Sequence, residues 1–167
     1  MYFYEKISEQ HFNIVLDIMI RSFDNDTKMH ILQNTGGPRG YDDGSLLKKC
    51  MNNYVTEIVK FNGQIIGFYC LSFQNEVGTL ELFCIDPGFK NQGHGLAVFK
   101  SIEKRYPVKK WQLETPDYSV RNHYFYTNKC GFSLDKQKEI PIALLKNMIN
   151  KKDFFILIDF KIRNLLF

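Results

Sequence analysis

The sequence predicts an α/β (α+β) chain, and three observations carry that reading. Apolar-rich runs at residues 54–61, 64–73 and 79–85 are separated by short turns, the first of them Asn62-Gly63, which is the pattern of consecutive antiparallel strands. The third run is followed by a glycine-containing turn at residues 90–95 and a helix-like run at 96–105. A second strand, helix, strand series then continues through Trp111, Tyr126 and Phe132 to Lys138. At 167 residues, with no repeat, low-complexity tract or interdomain linker, residues 1–167 read as a single domain.

The elements follow in order. Residues 2–7 read as a first strand, and Ser8 as the N-cap of an amphipathic helix that places Phe12, Val15, Leu16, Met19 and Phe23 at helical spacing and ends near Phe23. Residues 24–44 are rich in Asp, Asn and Gly, with Gly36-Gly37-Pro38 and Gly40, and read as a long loop with short helical pieces. Loops of that length inside a compact domain are often functional. A short helix is expected over 45–52, then the three strands, the last two joined by a turn over 74–78. A strand over 108–114 precedes an aromatic helix that starts at Ser119. A final helix over 141–149 begins with Pro141, and a strand over 154–160 follows. The tail to Phe167 alternates like a strand, so a last strand or a dimer edge is favoured over a membrane-contacting basic amphipath.

Composition narrows the function classes. Hydrophobic residues at 44% and charged residues at 24% describe an ordinary globular chain rather than a disordered scaffold. The net charge of +4 comes from scattered lysines, which argues against a nucleic-acid-tracking stripe and suits an anionic small ligand. No stretch approaches the ~20 apolar residues that cross a bilayer, and the N-terminus has no export pattern, so the expected location is cytoplasmic. Cys50, Cys70, Cys84 and Cys130 are widely spaced and lack His neighbours at ligand spacing, so neither a metal nor a disulfide framework is expected.

The turn Lys90-Asn91-Gln92-Gly93-His94-Gly95 has the chemistry of a phosphate cradle. The first N–H groups of a helix lack intrahelical partners and lie at the positive end of its dipole, and glycines let backbone and ligand approach closely. Together with the downstream segment from Ser119 through Tyr126 to Gly131-Phe132, this turn resembles the GNAT superfamily of acetyl-CoA-dependent N-acetyltransferases. The first segment resembles the signature Q/R-x-x-G-x-G/A, with Lys90 in the Gln or Arg position. The second resembles the family's Asn-containing helix that ends Tyr-x-x-x-Gly-Phe. Tyr126 lies five residues before Gly131 where the family spacing is four, which puts Thr127 at the strict position and asks for one inserted residue near the end of the helix; Tyr124 is the other alternative. In the branch that acetylates ribosomal-protein N-termini, a strand Glu precedes the helix Asn by five and the helix Tyr by twelve, and Glu114, Ser119 and Tyr126 fall at those positions.

The resemblance implies a GNAT-like mixed, mostly antiparallel twisted sheet flanked by helices, with acetyl-CoA as cosubstrate and a primary amine of a small molecule, peptide or protein as acceptor. It implies that backbone N–H groups from Asn91 and Gln92 through Gly93, His94, Gly95 and Leu96 hold the pyrophosphate, with Lys90 and His94 adding charge, His94 facing phosphate or solvent. It also implies that pantetheine runs along Phe83, Cys84 and Ile85 as an added strand and meets Phe125 and either Ser119 or Asn122. Tyr126 is then the general acid, and Glu114, or secondarily Glu81, the general base. A covalent route through Cys84 is disfavoured, because an amine held beside a thioester attacks without a protein nucleophile. Asp24, Asp26, Asp42 and Asp43 would form an acidic wall that favours a cationic acceptor. The competing readings are a non-catalytic acyl-CoA-binding module on the same fold and an interaction protein, possibly homodimeric, in which the turn is only structural.

Overall fold

A computed structural model describes residues 1–138 and 157–162. Among them, seven strands form one sheet: β1 (Tyr2–Lys6), β2 (Val55–Phe61), β3 (Gln64–Gln74), β4 (Val77–Ile85), β5 (Lys110–Pro116), β6 (Ser133–Lys138) and β7 (Leu157–Ile162), in the spatial order β1-β2-β3-β4-β5-β7-β6. The pairing of β4 with β5 is parallel, and every other described pair is antiparallel. The mixed, mostly antiparallel sheet expected from the sequence is therefore present.

The β2–β3 hairpin turns on Asn62 and Gly63 with φ of 50° and 86°, the left-handed pair that matches the twist of its strands. The next turn is tighter than the sequence suggested. Asn75 and Glu76 form it alone with φ of 49° and 63°, and Gly78 belongs to β4, where a Cβ would stand 2.7 Å from the Trp111 ring. Gly78 is thus a packing residue for Trp111.

Helices cover both faces. On one, Val15, Ile18 and Met19 of α1 (Phe12–Ile31) and Leu47 of α2 (Ser45–Asn53) pack on Ile58, Phe68 and Cys84. On the other, Val98, Phe99 and Ile102 of α3 (His94–Arg105) pack on Val59, Ile66, Trp111 and Leu113, together with Tyr126 and Phe132. These residues are almost wholly removed from water, and each large apolar side chain so buried contributes about 1.5–3 kcal/mol.

α1 departs most from expectation. It begins after a short turn, Glu9–His11, and runs through Ile31, so 24–31 is helix rather than loop. Its last two turns carry polar residues that point to tertiary partners instead of apolar residues at helical spacing. The Thr27 hydroxyl donates to Gly36 O at 2.8 Å, and the Asp24 carboxylate accepts from Tyr41 Oη at 2.8 Å and from the Gly36 N–H at 3.1 Å. The predicted strand over 108–114 is shifted to Lys110–Pro116. β7 pairs with β5 on one side and β6 on the other, so this strand is internal to the sheet rather than at its edge. The helix expected over 141–149 lies outside the described residues.

Candidate active site

The site begins where two parallel strands part. The β4–β5 ladder runs from Val77–Lys110 to Leu80–Leu113 and stops. On the other edge of β4, Cys70 pairs with Leu82 and Leu71 with Leu80, which leaves Glu81 as the extra residue of a β-bulge. The bulge reverses the alternation of side chains, so Leu80 packs on the α3 face while Leu82 and Cys84 pack on the α1 face. Beyond it, the edge of β4 over residues 82–85 lacks β5 as a neighbour. A cleft of about 1290 Å³ occupies the splay and takes in Phe83, Cys84, Ile85, the turn at 90–95, Glu81, Glu114, Asn122, Phe125 and Tyr126.

The turn is held from below. Asp86 accepts from the Gly88 N–H at 2.9 Å and takes both ends of the Arg21 guanidinium at 2.7 and 2.9 Å, and the Arg21 bonds hold its carboxyl below the usual carboxylate range. Lys90 donates from Nζ to Asn25 Oδ1 at 2.8 Å; burial, then the charge of Arg121, lowers its pKa. Gly93 caps α3 with φ of 81°, and a Cβ there would meet nothing within 4 Å, so the space above the turn is open. The first backbone bond of α3 runs from the Ala97 N–H to Gly93 O at 3.1 Å, which leaves the N–H groups of His94, Gly95 and Leu96 ahead of the helical ladder. Gln92 bonds from Nε2 to Gly88 O at 3.3 Å, and Asn91 has φ of 62°. A Cβ on Gly95 would stand 3.3 Å from the Phe125 ring, so that glycine lets Phe125 lie against the start of α3.

His94 is a correction. Its ring, expected at the phosphate or in solvent, is buried against Phe61, with centroids 4.6 Å apart, and its Nδ1 lies 2.7 Å from Tyr2 Oη. Burial raises the Tyr2 pKa, so the phenol keeps its proton, and the hydroxyl and Nδ1 share one hydrogen bond whose direction follows the tautomer of the ring. His94 contributes its backbone to the turn and its side chain to the core.

On the opposite wall, α4 (Val120–Tyr124) continues into a π-helical turn, Phe125–Lys129, closed by the Cys130 N–H to Phe125 O at 3.1 Å. A π-turn contains one residue more than an α-turn. That is the width of the insertion between Tyr126 and Gly131. Tyr126 lines the cleft, 8% exposed, as does Tyr124, which is 56% exposed, while the Thr127 hydroxyl is turned back to His123 O at 2.8 Å. Burial, then Cys130 and Cys84, pushes the Tyr126 phenol well above its ordinary value.

The sites of the two carboxylates are explained by the splay. Glu81 and Glu114 each directly follow the last residue that their strand contributes to the β4–β5 ladder, both are exposed, and both line the cleft; Glu81 accepts from Ser72 Oγ at 2.6 Å. Burial pushes the Cys84 thiol up to about 12, so it is protonated at neutral pH. Ser119 is fully buried and donates to Asp26 Oδ2 at 2.8 Å, whereas Asn122 lines the cleft and donates to Thr115 Oγ1 at 3.4 Å. Asp42 and Asp43 line the cleft, Asp24 is committed to Tyr41 and Gly36, and Asp26 is shared between Ser119 and His30. The contacts missed from sequence are those of Asn25 with Lys90 and of Asp26, expected in the acidic wall, with Ser119, which join α1 to both walls. Their Asn and Asp looked like loop formers, and no local pattern marks a contact 65 or 93 positions away.

Among the described residues no group of three or more His, Cys, Asp or Glu side chains could hold a metal ion, and no helix is long and apolar enough to cross a membrane. The fold resembles that of a GNAT family acetyltransferase from Elizabethkingia anophelis with acetyl-CoA bound, at 16% identity and TM-score 0.68 over 98% of both chains. It resembles equally the ribosomal-protein-S18-alanine N-acetyltransferase of Escherichia coli, at 17% and 0.67 over 100% of both, and PaiA N-acetyltransferase of Thermoplasma acidophilum in complex with coenzyme A, at 14% and 0.66 over 98% and 99%. A sequence relative, the uncharacterized protein YrkN of Bacillus subtilis, is 40% identical over 65 residues, a match that spans 38% of this chain and 35% of that protein. The sequence profile of the acetyltransferase (GNAT) family matches residues 20–132, which take in the later part of α1, the splayed strands, the glycine turn and the π-turn, and the chain belongs to that family.

Proposed function

We propose that this protein transfers acetyl from acetyl-CoA directly to a primary amine in the cleft between β4 and β5. The parting of these strands at Leu80 and Leu113, beside an open helix N-terminus, carries the reading. It leaves a strand edge on which pantetheine would add and donors on which pyrophosphate would rest. Both fit the residues present, since the space over Gly93 is open and the edge at Phe83, Cys84 and Ile85 faces the cleft.

Glu114, with Glu81 as the alternative, takes a proton from the incoming ammonium, directly or through water. The neutral amine attacks the thioester carbon, whose oxygen is stabilised by a β4 backbone N–H, a C–N bond forms and the C–S bond breaks. Tyr126 gives its proton to the departing thiolate, and the second proton that the nitrogen loses as it becomes an amide restores the phenol, directly or through water, so that the only net proton released is the one taken by the glutamate. The protonated Cys84 thiol and the presence of an amine nucleophile favour this direct route over an acetyl-cysteine. Asp42, Asp43, Glu81 and Glu114 all line the cleft and favour a cationic small molecule or a peptide or protein amine over nucleic acid as acceptor; the cytoplasm is the proposed location.

The test is calorimetric titration with acetyl-CoA, followed on the same preparation by a thiol-release screen of polyamines, aminoglycosides, amino acids and short peptides. Saturable binding with thiol release is expected. Binding without release for any acceptor would favour an acyl-CoA-binding module, and absence of binding would overturn the assignment.

A further inference from the structure

We infer that Arg121, on α4, is the side-chain cation that grips the pyrophosphate of acetyl-CoA in this chain, and that it sets discrimination between phosphate-bearing and phosphate-free acetyl donors. The inference rests on the reading of the cleft as an acetyl-CoA site. Arg121 lines that cleft and reaches across it to the turn, with Nη2 3.5 Å from Asn91 Oδ1 and Nη1 4.0 Å from Met29 Sδ. Both contacts are long and involve neutral partners. Among the described residues no carboxylate forms an ion pair with Arg121, whereas Arg21 has two, Asp17 and Asp86, and Arg105 has Glu57.

The turn's own cation is otherwise engaged. Lys90 stands where a phosphate-binding side chain was expected, but its ammonium is largely buried and bonded to Asn25 of α1. Arg121 is near enough to act on Lys90, and two like charges at one turn repel until an anion joins them. A guanidinium also offers a planar fork that meets two phosphate oxygens, which an ammonium cannot. The structure thus divides the two tasks: Lys90 fastens the turn to α1 and Arg121 presents the charge.

Calorimetric Kd values for coenzyme A, dephospho-coenzyme A and pantetheine, measured on the wild type, R121Q and R121K, test this. R121Q is expected to weaken coenzyme A and dephospho-coenzyme A by the same factor, about tenfold or more, and to leave pantetheine unchanged. R121K is expected to recover part of the loss. Unchanged coenzyme A affinity in R121Q would overturn the inference while leaving the acetyl-CoA reading intact. An equal loss for pantetheine would overturn it by assigning Arg121 to cleft shape, and a loss confined to coenzyme A would overturn it by assigning the fork to the 3′-phosphate. A wild type that binds none of the three would remove the underlying reading itself.

Discussion

Tyr126 reaches the cleft because the backbone around it is one residue wider than an α-turn, and its environment defines what it can do there. Burial holds the phenol in its protonated form throughout and beyond the range of an ordinary tyrosine, whose pKa is about 10. The proton needed by a thiolate is therefore present at every pH at which the protein would work, while the same shift makes the phenol a weaker acid, so that its transfer to a thiolate of ordinary pKa about 8.5 is uphill. Tyr126→Phe is expected to lower kcat by about 10²-fold while acetyl-CoA affinity changes little, and to lower the pH–rate profile without moving its alkaline limb. Steady-state rates across pH check this; an unchanged kcat with a good acceptor would remove Tyr126 from the mechanism. Cys84→Ala is expected to keep most activity, since a thiol with pKa about 12 is a poor nucleophile at neutral pH, and a collapse of kcat in a folded variant would reinstate a covalent route. At Gly93, φ of 81° and open space above the turn mean that Gly93→Asp adds both backbone strain and a negative charge at the phosphate position. Coenzyme A affinity should fall by about tenfold or more by calorimetry, and retained affinity would dismiss the turn as the cradle.

Local patterns conveyed the elements whose causes are local. The Asn62-Gly63 hairpin, the glycine turn at 90–95 and the helix after it could be recognised because positive φ, missing side chains and apolar spacing are written in neighbouring residues. The bulge at Glu81 could not, because it is a mismatch of register between β3 and β4, and nothing in the run from Val77 to Ile85 marks it. The last two turns of α1 were read as loop for a related reason: their stabilising groups, Asp24, Asn25, Asp26 and Thr27, act on partners in the loop before α2, in the glycine turn and at the start of α4. The side chain of His94 was misplaced because its partner, Tyr2, is 92 positions away. The turn at Asn75-Glu76 yields a prediction on this scale. Glutamate at φ of 63° pays the left-handed penalty that glycine avoids, and its ion pair with Lys109 is exposed at both ends and contributes little. Glu76→Gly should raise stability by about 1 kcal/mol in denaturant unfolding, and a loss of stability would show that the ion pair or the rigidity of the unfolded chain outweighs the strain.

Across the whole molecule, two arginines hold helices to the sheet from opposite faces, and both do so through carboxylates. Arg21 of α1 closes on Asp86 at the foot of the glycine turn, and Arg105, in the last turn of α3, takes Glu57 of β2 at 2.6 and 3.0 Å while its guanidinium lies over the Tyr4 ring at 4.7 Å. For Glu57, burial alone would raise the pKa, but the bonds from Arg105 and Tyr69 outweigh it, so the net displacement is downward; Asp86 is lowered chiefly by Arg21. A carboxylate whose folded pKa lies below its unfolded value stabilises the fold above the unfolded pKa, and that contribution is lost as pH falls through the folded one. With unfolded values of about 3.9 for Asp and about 4.3 for Glu, the contribution should be complete above pH ~5 and decline below pH ~4. Removing the arginine partner should reduce that dependence at its own carboxylate, since only the weaker bonds from Tyr69 to Glu57 and from the Gly88 N–H to Asp86 would remain. Arg105→Gln is therefore expected to lower stability at pH 7 more than at pH 3, which makes the pH dependence of unfolding shallower over that interval than in the wild type. Chemical denaturation at the two pH values gives the comparison directly, and a variant whose stability falls by the same amount at both would show that Arg105 acts through its stacking on Tyr4 and Tyr106 rather than through the charge of Glu57.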